Sequence, residues 1–539
     1  MKSDANGWST RVDPEMAARY KAEGAWSDVT VGQRLQQLAA AHPSQLLVID
    51  GEAEMTVAQC LDRALRLATA LCGWGLNAGD VVSFQLPNWH EAVLVELACA
   101  LGGFVCNPIV PIYRDREVGF IIADARSKVL FVPENFRGFD YRAMVDRLMG
   151  QGVTADHIIF VRSDERMFER LIETTAPATL VDPDPDHVKL LLYTSGTTGD
   201  PKGVLHTHNT IDCEVRNFSA HFGLGEHDVV LMPSTLGHIT GYLYGIQLPV
   251  TLGIPVILMD SWDAKIAADL ISEHRVTFTI GATPFLAELV QVATRDGLSL
   301  PSLRIFPCGG APVPPSLVEA AERILTSCTV CRVYGSTEAP TVSLGSMGDV
   351  PIGIRAETDG KVVGHNVRLI LADGSEAERG QDGEITTRGP EVFVGYKETS
   401  QNDAFDEQGY FKTGDLGVLD SDGNLMVTGR IKDIIIRGGE NISAKEVEDA
   451  IHLHPAISEA AVVAMPHPRL GETCCAFVTL RPGEIFDFEA MLATLTEQGL
   501  AKQKWPERLE IIAEMPLTPS GKIRKNILRE QVREAVQAR

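Results

Sequence analysis

Hydrophobic positions recur at helical spacing over residues 31–41 and 57–72, which predicts two amphipathic helices. Short apolar runs at 81–86, 129–132 and 158–161 are bounded by turn residues and predict buried strands. A second strand–helix series follows from 188 to 345, for example a strand at 277–280 and then a helix at 284–293. Alternation of this kind implies an α/β fold with largely buried sheets. From 360 to 428 glycine-punctuated short strands dominate, at 367–371, 384–387 and 425–428, and predict a β-rich subdomain. After Arg430 the pattern changes again. Strands at 434–436, 460–464, 475–480 and 508–512 alternate with helices at 445–452 and 488–498. The expected architecture is a large N-terminal body, residues 1–430, of layered α/β subdomains plus the β-rich one, followed by a small α+β domain at 431–539.

One stretch invites a different reading. Residues 233–259 contain no Lys, Arg, Asp or Glu and are long enough to span a bilayer. Gly237, Gly241, Gly245, Pro249, Gly253 and Pro255 interrupt it, so a buried helix, a turn and a buried strand at 255–258 are expected instead of an integral membrane segment. Residues 1–8 are polar and form no secretory h-region, and the expected compartment is the cytoplasm. No repeat at a period of about 20 to 50 residues appears, which excludes a solenoid. Nothing in the sequence bears on oligomeric state.

Composition adds little: 539 residues, 45% hydrophobic and 22% charged, are ordinary for a globular chain. Charge adds more. Asp and Glu total 72 against 48 Lys and Arg, a formal net charge of -24. That excludes a nucleic-acid polymer as partner, and it requires any polyanionic ligand to be met by a local basic cluster. Ten cysteines are too few for a disulfide scaffold. Cys328 and Cys331 lack a second pair at zinc-ligand spacing, so they are expected to be reduced, buried thiols, like Cys474 and Cys475.

The most informative segment is Tyr193-Thr194-Ser195-Gly196-Thr197-Thr198-Gly199-Asp200-Pro201-Lys202-Gly203, which follows an apolar strand. Its glycines let backbone N–H groups turn toward an anion, its hydroxyls add donors, and Lys202 adds a compact positive charge. It does not satisfy the P-loop pattern, because Gly203 rather than Ser or Thr follows the lysine.

This segment resembles the signature of the adenylate-forming enzymes, and further blocks of that family appear in order. They are Tyr334-Gly335-Ser336-Thr337-Glu338, Phe411-Lys412-Thr413-Gly414-Asp415, Gly429-Arg430-Ile431-Lys432-Asp433, Gly438-Gly439-Glu440-Asn441-Ile442 and Pro519-Ser520-Gly521-Lys522. The resemblance implies a two-step reaction. A carboxylate and ATP give acyl-AMP and pyrophosphate, and the thiol of coenzyme A then displaces AMP. It implies ATP, Mg2+ and coenzyme A as cofactors and a small carboxylic acid as substrate. Residues 194–202 would hold the β- and γ-phosphates, Glu338 the magnesium and Thr337 the α-phosphate. Tyr334 would face adenine opposite Gly309, Gly310 and Ala311. Asp415 would accept hydrogen bonds from both ribose hydroxyls with its two oxygens. Arg430 would donate near ribose and phosphate, and Lys522 would reach the carboxylate and α-phosphate during adenylation only. Lys432 matches a hinge about which the small domain rotates, withdrawing Lys522 and bringing Gly438 and Gly439 to the thiol tunnel. His238 resembles a gate between the acyl pocket and the thiol path. His206 and His208 lack a third ligand, so no metal is expected there.

For the acyl pocket, Ile239, Tyr242, Ala282, Gly309, Gly310 and Gly335 are the candidates. They are apolar or small, which favours an uncharged hydrophobic acid. Leu86-Pro87-Asn88-Trp89, residues 107–114 and Phe136-Arg137-Gly138-Phe139-Asp140 are similar to the cyclohexanecarboxylate and medium-chain acyl-CoA ligase subgroup, so a cyclic, aromatic or medium-chain acid is expected. Two departures from the family pattern stand out: His467 where Asp is common, and His365-Asn366 where a Pro-Gly type of turn is usual. Two competing readings are an adenylating enzyme that loads a separate acyl carrier protein, and a noncatalytic nucleotide-binding protein on the same scaffold. Intact Glu338, Asp415, Arg430 and Lys522 argue against the second.

Overall fold

A computed structural model describes residues 2–153, 155–194, 201–348, 350–438, 440–518 and 522–537. The two predicted amphipathic helices start at capping boxes. Thr30 and Thr56 accept from the N–H of Gln33 and Gln59, whose side chains return the bond, and the helices run Val31–Ala41 and Val57–Gly73.

Two sheets sandwich the N-terminal body. One has six strands in the order His157–Val161, Val129–Pro133, Val81–Phe84, Val105–Pro108, Val188–Thr194, Lys202–Thr207, parallel except for the last hairpin. The other has nine, in the order Lys361–Val362, Ser343–Leu344, Thr329–Tyr334, Ile305–Gly309, Phe278–Thr279, Val230–Met232, Val256–Leu258, Leu46–Asp50, Ala53–Thr56. It is parallel through its middle and antiparallel at both edges. The helix His90–Gly102 is buried on nearly every side between them, as its mostly apolar sequence requires, with Glu91 and Glu96 buried along it. One continuous core joins Phe84 and Leu190 of the first sheet to Val48, Met232 and Val256 of the second.

The β-rich region is a four-stranded antiparallel sheet, Asn366–Ile370, Gly383–Arg388, Phe411–Leu419 and Leu425–Arg430. The C-terminal strands form a separate five-stranded sheet with its own core around Ile435, Val447, Val462, Ala476 and Leu495. Its central hairpin, Ile457–His467 with Gly471–Leu480, is about twice as long as the apolar pattern predicts, because its far ends pair where one face is wet.

The uncharged 233–259 stretch is an interior element. A short helix, Ile239–Tyr242, widens into a π-turn, Leu243–Gln247, resumes as Leu248–Leu252, and a strand follows at Val256–Leu258. Gly241 is required there, since a Cβ would stand 2.0 Å from the Thr235 carbonyl oxygen. Among the described residues no helix is long and apolar enough to cross a membrane. Cys328, Cys331, Cys474 and Cys475 are free and buried.

Candidate active site

The strands that flank the glycine-rich loop pair as an antiparallel hairpin, with Thr194 opposite Lys202. Ser195, Gly196, Thr197, Thr198 and Gly199 lie outside the described residues, as does Gly439. The Lys202 ammonium stands over the Tyr396 ring, 5.0 Å from its centroid. The Tyr396 hydroxyl donates to Glu338 Oε1 at 2.8 Å, and the Phe393 N–H donates to the Glu338 carbonyl at 2.8 Å. One aromatic residue therefore spaces a lysine from a carboxylate at the mouth of the hairpin. The neighbouring Thr337 is held through its carbonyl, 2.8 Å from His206 Nε2. Burial pulls the His206 imidazole down to about 4, so at neutral pH it is the uncharged tautomer with its proton on Nε2.

Tyr334 ends a central strand, and its hydroxyl donates to Asp415 Oδ2 at 2.8 Å. Arg430 faces Asp415 across the β-ladder and pairs Nε with Oδ1 at 2.6 Å. Both Asp415 oxygens are thus engaged within the chain. Each already accepts one internal bond, and a ribose could use only the remaining lone pairs. Gly310 has φ 78 and nothing within 4 Å of where a Cβ would point, so its free side is open. Ala311 follows it, half-buried. Gly309 and Gly335 do not offer pocket space on their side-chain sides. A Cβ would lie 2.4 Å from the Val333 oxygen at Gly309 and 1.7 Å from the Pro340 oxygen at Gly335, so both glycines answer to the chain's own packing.

Lys522 is half-buried, and its backbone N–H donates to Thr518 Oγ1 at 2.9 Å. It lies within electrostatic reach of Arg430, Asp415, Glu338 and Lys432, and burial and the Arg430 charge pull its ammonium below the usual lysine range. Lys432 sits on the single turn Ile431–Asp433, and burial lowers it too. Asp433 is ion-paired with Arg529 of the last helix. Gly438 (φ 61) donates its N–H to the Leu470 carbonyl at 2.8 Å, at the tip of the hairpin Ile434–Arg437 and Glu440–Ser443.

His238 caps the helix Ile239–Tyr242. Burial and the Lys522 charge lower its imidazole to about 4, which keeps it neutral at pH 7. The turn before it is fixed by Asn88, which donates to the Ser234 and Met232 carbonyls at 2.9 and 3.2 Å and accepts from the Leu236 N–H at 2.8 Å. Gly237 packs against the backbone of Ile109 and Val110. Trp89 meets Phe136 edge-on at 5.6 Å, and the Arg114 guanidinium lies 3.8 Å from the Phe139 ring centre. Two of the segments that set the subgroup resemblance thus brace the turn that carries His238, and the third, 136–140, packs against those two. Ile239 is buried beside it, and Ala282 is half-buried at the start of the helix Thr283–Asp296.

Tyr242 is a correction. It has no exposed surface, Lys189 Nζ lies 5.5 Å from its ring centre, and its hydroxyl faces Glu96. It belongs to the interior between the sheets rather than to an open pocket wall. Sequence reasoning missed Tyr396 and the positioning roles of His206 and Asn88. Asn88 lies in a segment singled out for its subgroup likeness, whereas Tyr396 carries no local signal beyond a Gly-Tyr pair.

Residues 35–397 match the AMP-binding enzyme family, and residues 446–522 match the AMP-binding enzyme C-terminal domain. The chain belongs to the AMP-binding enzyme family. It is 34% identical over 529 residues to a medium-chain fatty-acid–CoA ligase of Escherichia coli, covering 96% of this chain and 92% of that one. It is 32% identical over 535 residues to a salicyl-AMP ligase / salicyl-S-ArCP synthetase of Mycobacterium tuberculosis, covering 96% and 93%. Its fold superposes on ATP-bound MatB from Rhodopseudomonas palustris with a TM-score of 0.84 at 26% identity, over 94% of this chain and 100% of that one. As an adenylate-forming enzyme of this family, the chain binds ATP and activates a carboxylic acid.

Proposed function

We propose that this AMP-binding enzyme is an AMP-forming acid–CoA ligase for a hydrophobic acid of cyclic, aromatic or medium-chain type. The observation that carries the reading is the gathering of Lys202, Glu338, Asp415 and Arg430 with Lys522, which arrives from the far end of the chain. Adenylation brings two anions together, so its barrier falls when fixed cations meet the charge that builds on the α-phosphate and the carboxylate. Lys202 and Lys522 supply compact cations on flexible stems. Asp415 and Arg430 orient the ribose, and Tyr334 offers a flat face to the base. The Glu338 carboxylate, braced by Tyr396, suits Mg2+, which is normally held by one or two carboxylates, water and phosphate oxygens. That ion would offset phosphate charge.

The boundary falls at residues 430–431, with Lys432 as the hinge. Rotation there would exchange Lys522 for the Gly438 hairpin and admit the coenzyme A thiol. His238, neutral and set on a braced turn, stands as the gate to the acyl side. Buried Ile239, the open side of Gly310 and the aromatic cluster of Trp89, Phe136 and Phe139 support an uncharged acid. A second reading has one supporting observation: the salicyl-S-ArCP synthetase is nearly as similar to this chain as the coenzyme A ligase is. On that reading the acceptor is a carrier protein. A carboxylic-acid panel scored by pyrophosphate release, with and without coenzyme A, tests both. The expected products are AMP, pyrophosphate and an acyl-CoA. ADP and phosphate would overturn the adenylation, and acyl-AMP that coenzyme A does not discharge would overturn the thiol acceptor.

A further inference from the structure

Behind the active site, three metal-ligating side chains from distant parts of the chain meet in the interior. Glu214 comes from the helix His208–Phe222, His365 from the turn before the four-stranded sheet, and Glu391 from the loop after the strand Gly383–Arg388. One ligand atom from each lies within 4.8 Å of the others, and all three side chains are essentially solvent-free. We propose that Glu214, His365 and Glu391 bind a divalent first-row metal ion, zinc foremost, at a structural site distinct from the nucleotide site.

Each side chain is pinned through one atom and leaves the other facing the cluster. Glu214 Oε1 accepts from the Tyr244 hydroxyl at 2.7 Å and from the Thr341 hydroxyl, and Oε2 is buried with no partner. Glu391 Oε1 accepts from the Asn217 amide, which leaves Oε2 toward His365. His365 Nδ1 lies 2.9 Å from Thr387 Oγ1, so donation there leaves a lone pair on Nε2. Outer partners that fix tautomer and orientation in this way are what metal ligands carry.

Distances agree. His365 Nε2 and Glu391 Oε2 are 3.1 Å apart, yet Nε2 makes no aligned hydrogen bond. Two ligands at zinc bond lengths on a tetrahedron stand about 3.3 Å apart. Charge agrees as well. Two carboxylates buried together need a cation to stay ionised, and the Arg216 guanidinium is already taken by Asp212 and the Ala25 carbonyl. Without an ion, burial pushes both carboxyls up, Glu391 to about 7, and it draws the His365 imidazole down to about 4. A metal needs the imidazole neutral and would draw the protons off the carboxyls. The mixed imidazole and carboxylate set suits zinc or its first-row neighbours better than calcium. The contrast is the Asp50, His90 and Glu91 trio, where Arg162 pairs with both carboxylates and no ion is called for.

The site would also explain His365-Asn366, the departure from the family's usual turn. The ion would tie the helix His208–Phe222 to the segment that begins at Glu391, whose Phe393 N–H and Tyr396 hydroxyl hold Glu338.

The test is metal content by mass spectrometry on nucleotide-free protein from zinc-, manganese- and cobalt-supplemented cultures, purified without a metal column. About one ion per chain is expected in the wild type and in Glu338→Ala, falling at least tenfold in His365→Ala. Less than a tenth of an ion per chain in the wild type, or equal content in His365→Ala, overturns the site and leaves a proton shared by the two carboxyls. Because His365→Ala can fail to fold, wild-type protein is also loaded with Co2+ alone. A visible ligand-field band with a histidine-coordinated signature supports the site, and its absence overturns it. Removal of the ion by dipicolinate should lower the Tm, and Zn2+ should restore it.

Discussion

Two clusters of charge in the molecule are balanced differently. In the interior, Lys189 donates to Glu96 at 2.7 Å and to Gln247 at 3.0 Å, and Gln247 donates to Glu96 at 2.8 Å. The Lys189 and Glu96 side chains are 2% and 0% exposed, and one cation meets one anion. At the mouth of the Thr194–Lys202 hairpin, Lys202, Arg430 and Lys522 gather around Glu338 and Asp415 and leave positive charge in surplus. On a chain of net charge -24 that surplus is local and directed. A closed cluster of one cation, one anion and one amide ties the strand Val188–Thr194 to the helix His90–Gly102 and the π-turn Leu243–Gln247. An unbalanced cluster at an opening is a place for a polyanion.

The largest effect should come from unbalancing the closed cluster. Lys189→Met leaves Glu96 buried against a single amide and should cost about 3–5 kcal/mol of stability. Urea unfolding measures it, and the protein that remains folded should keep its pyrophosphate-release rate. The double variant Lys189→Met, Glu96→Leu should recover much of the loss. If the double variant is no more stable than Lys189→Met, the closed cluster is not what Lys189 contributes.

Next in size is Lys522→Ala. Removing one fixed cation from charge that develops in the transition state should cost about 10²–10³-fold in acyl-AMP formation. Thioester formation from supplied acyl-AMP and coenzyme A should fall far less if, as proposed, the domain rotation withdraws Lys522 before the second step. Equal loss in both half-reactions would mean that the lysine supports the fold or both conformations alike.

A smaller effect is expected from Tyr396→Phe, which deletes the hydroxyl bond to Glu338 and keeps the ring under Lys202. One hydrogen bond to a carboxylate is worth about 1.5–3 kcal/mol at most, so a loss of about tenfold or somewhat more in kcat/KM is expected. The Mg2+ concentration for half-maximal rate should rise with it. A change in kcat/KM with no change in that Mg2+ requirement would assign Tyr396 to Lys202 instead.

Why one cluster was legible in the sequence and the other was not follows from their geometry. The open cluster sits on short contiguous motif strings, so Thr194, Lys202, Glu338, Asp415, Arg430 and Lys522 could be named through the resemblance of those strings to the adenylate-forming enzymes. The helices and strands of the N-terminal body were legible for the same local reason, through capping boxes and apolar period. The closed cluster pairs residues 93 apart, and its members look like ordinary core or surface positions in any window. Tyr242 was misread because a tyrosine near the His238 turn suits a pocket wall as well as an interior, and only the packing of two sheets decides. Glu214, His365 and Glu391 were illegible together because three separate elements bring them in.

The smallest expected effect concerns His238, which lies within electrostatic reach of Lys522 in the open cluster. An ordinary imidazole with a pKa near 6.5 would add an acidic limb to the rate profile. Here burial and the Lys522 charge lower the pKa to about 4, so the ring stays neutral throughout pH 5.5 to 8 and charges only in more acid solution. Both causes act in the same direction: burial disfavours the charged ring first, and a second positive charge near Lys522 disfavours it further. The adenylation profile of the wild type and of His238→Gln should therefore have the same shape over that range, even if their absolute rates differ. Should the wild type lose activity with an apparent pKa near 6.5 and the variant not, His238 would be titrating. The ring would then be open to water during the first half-reaction rather than buried beside Lys522.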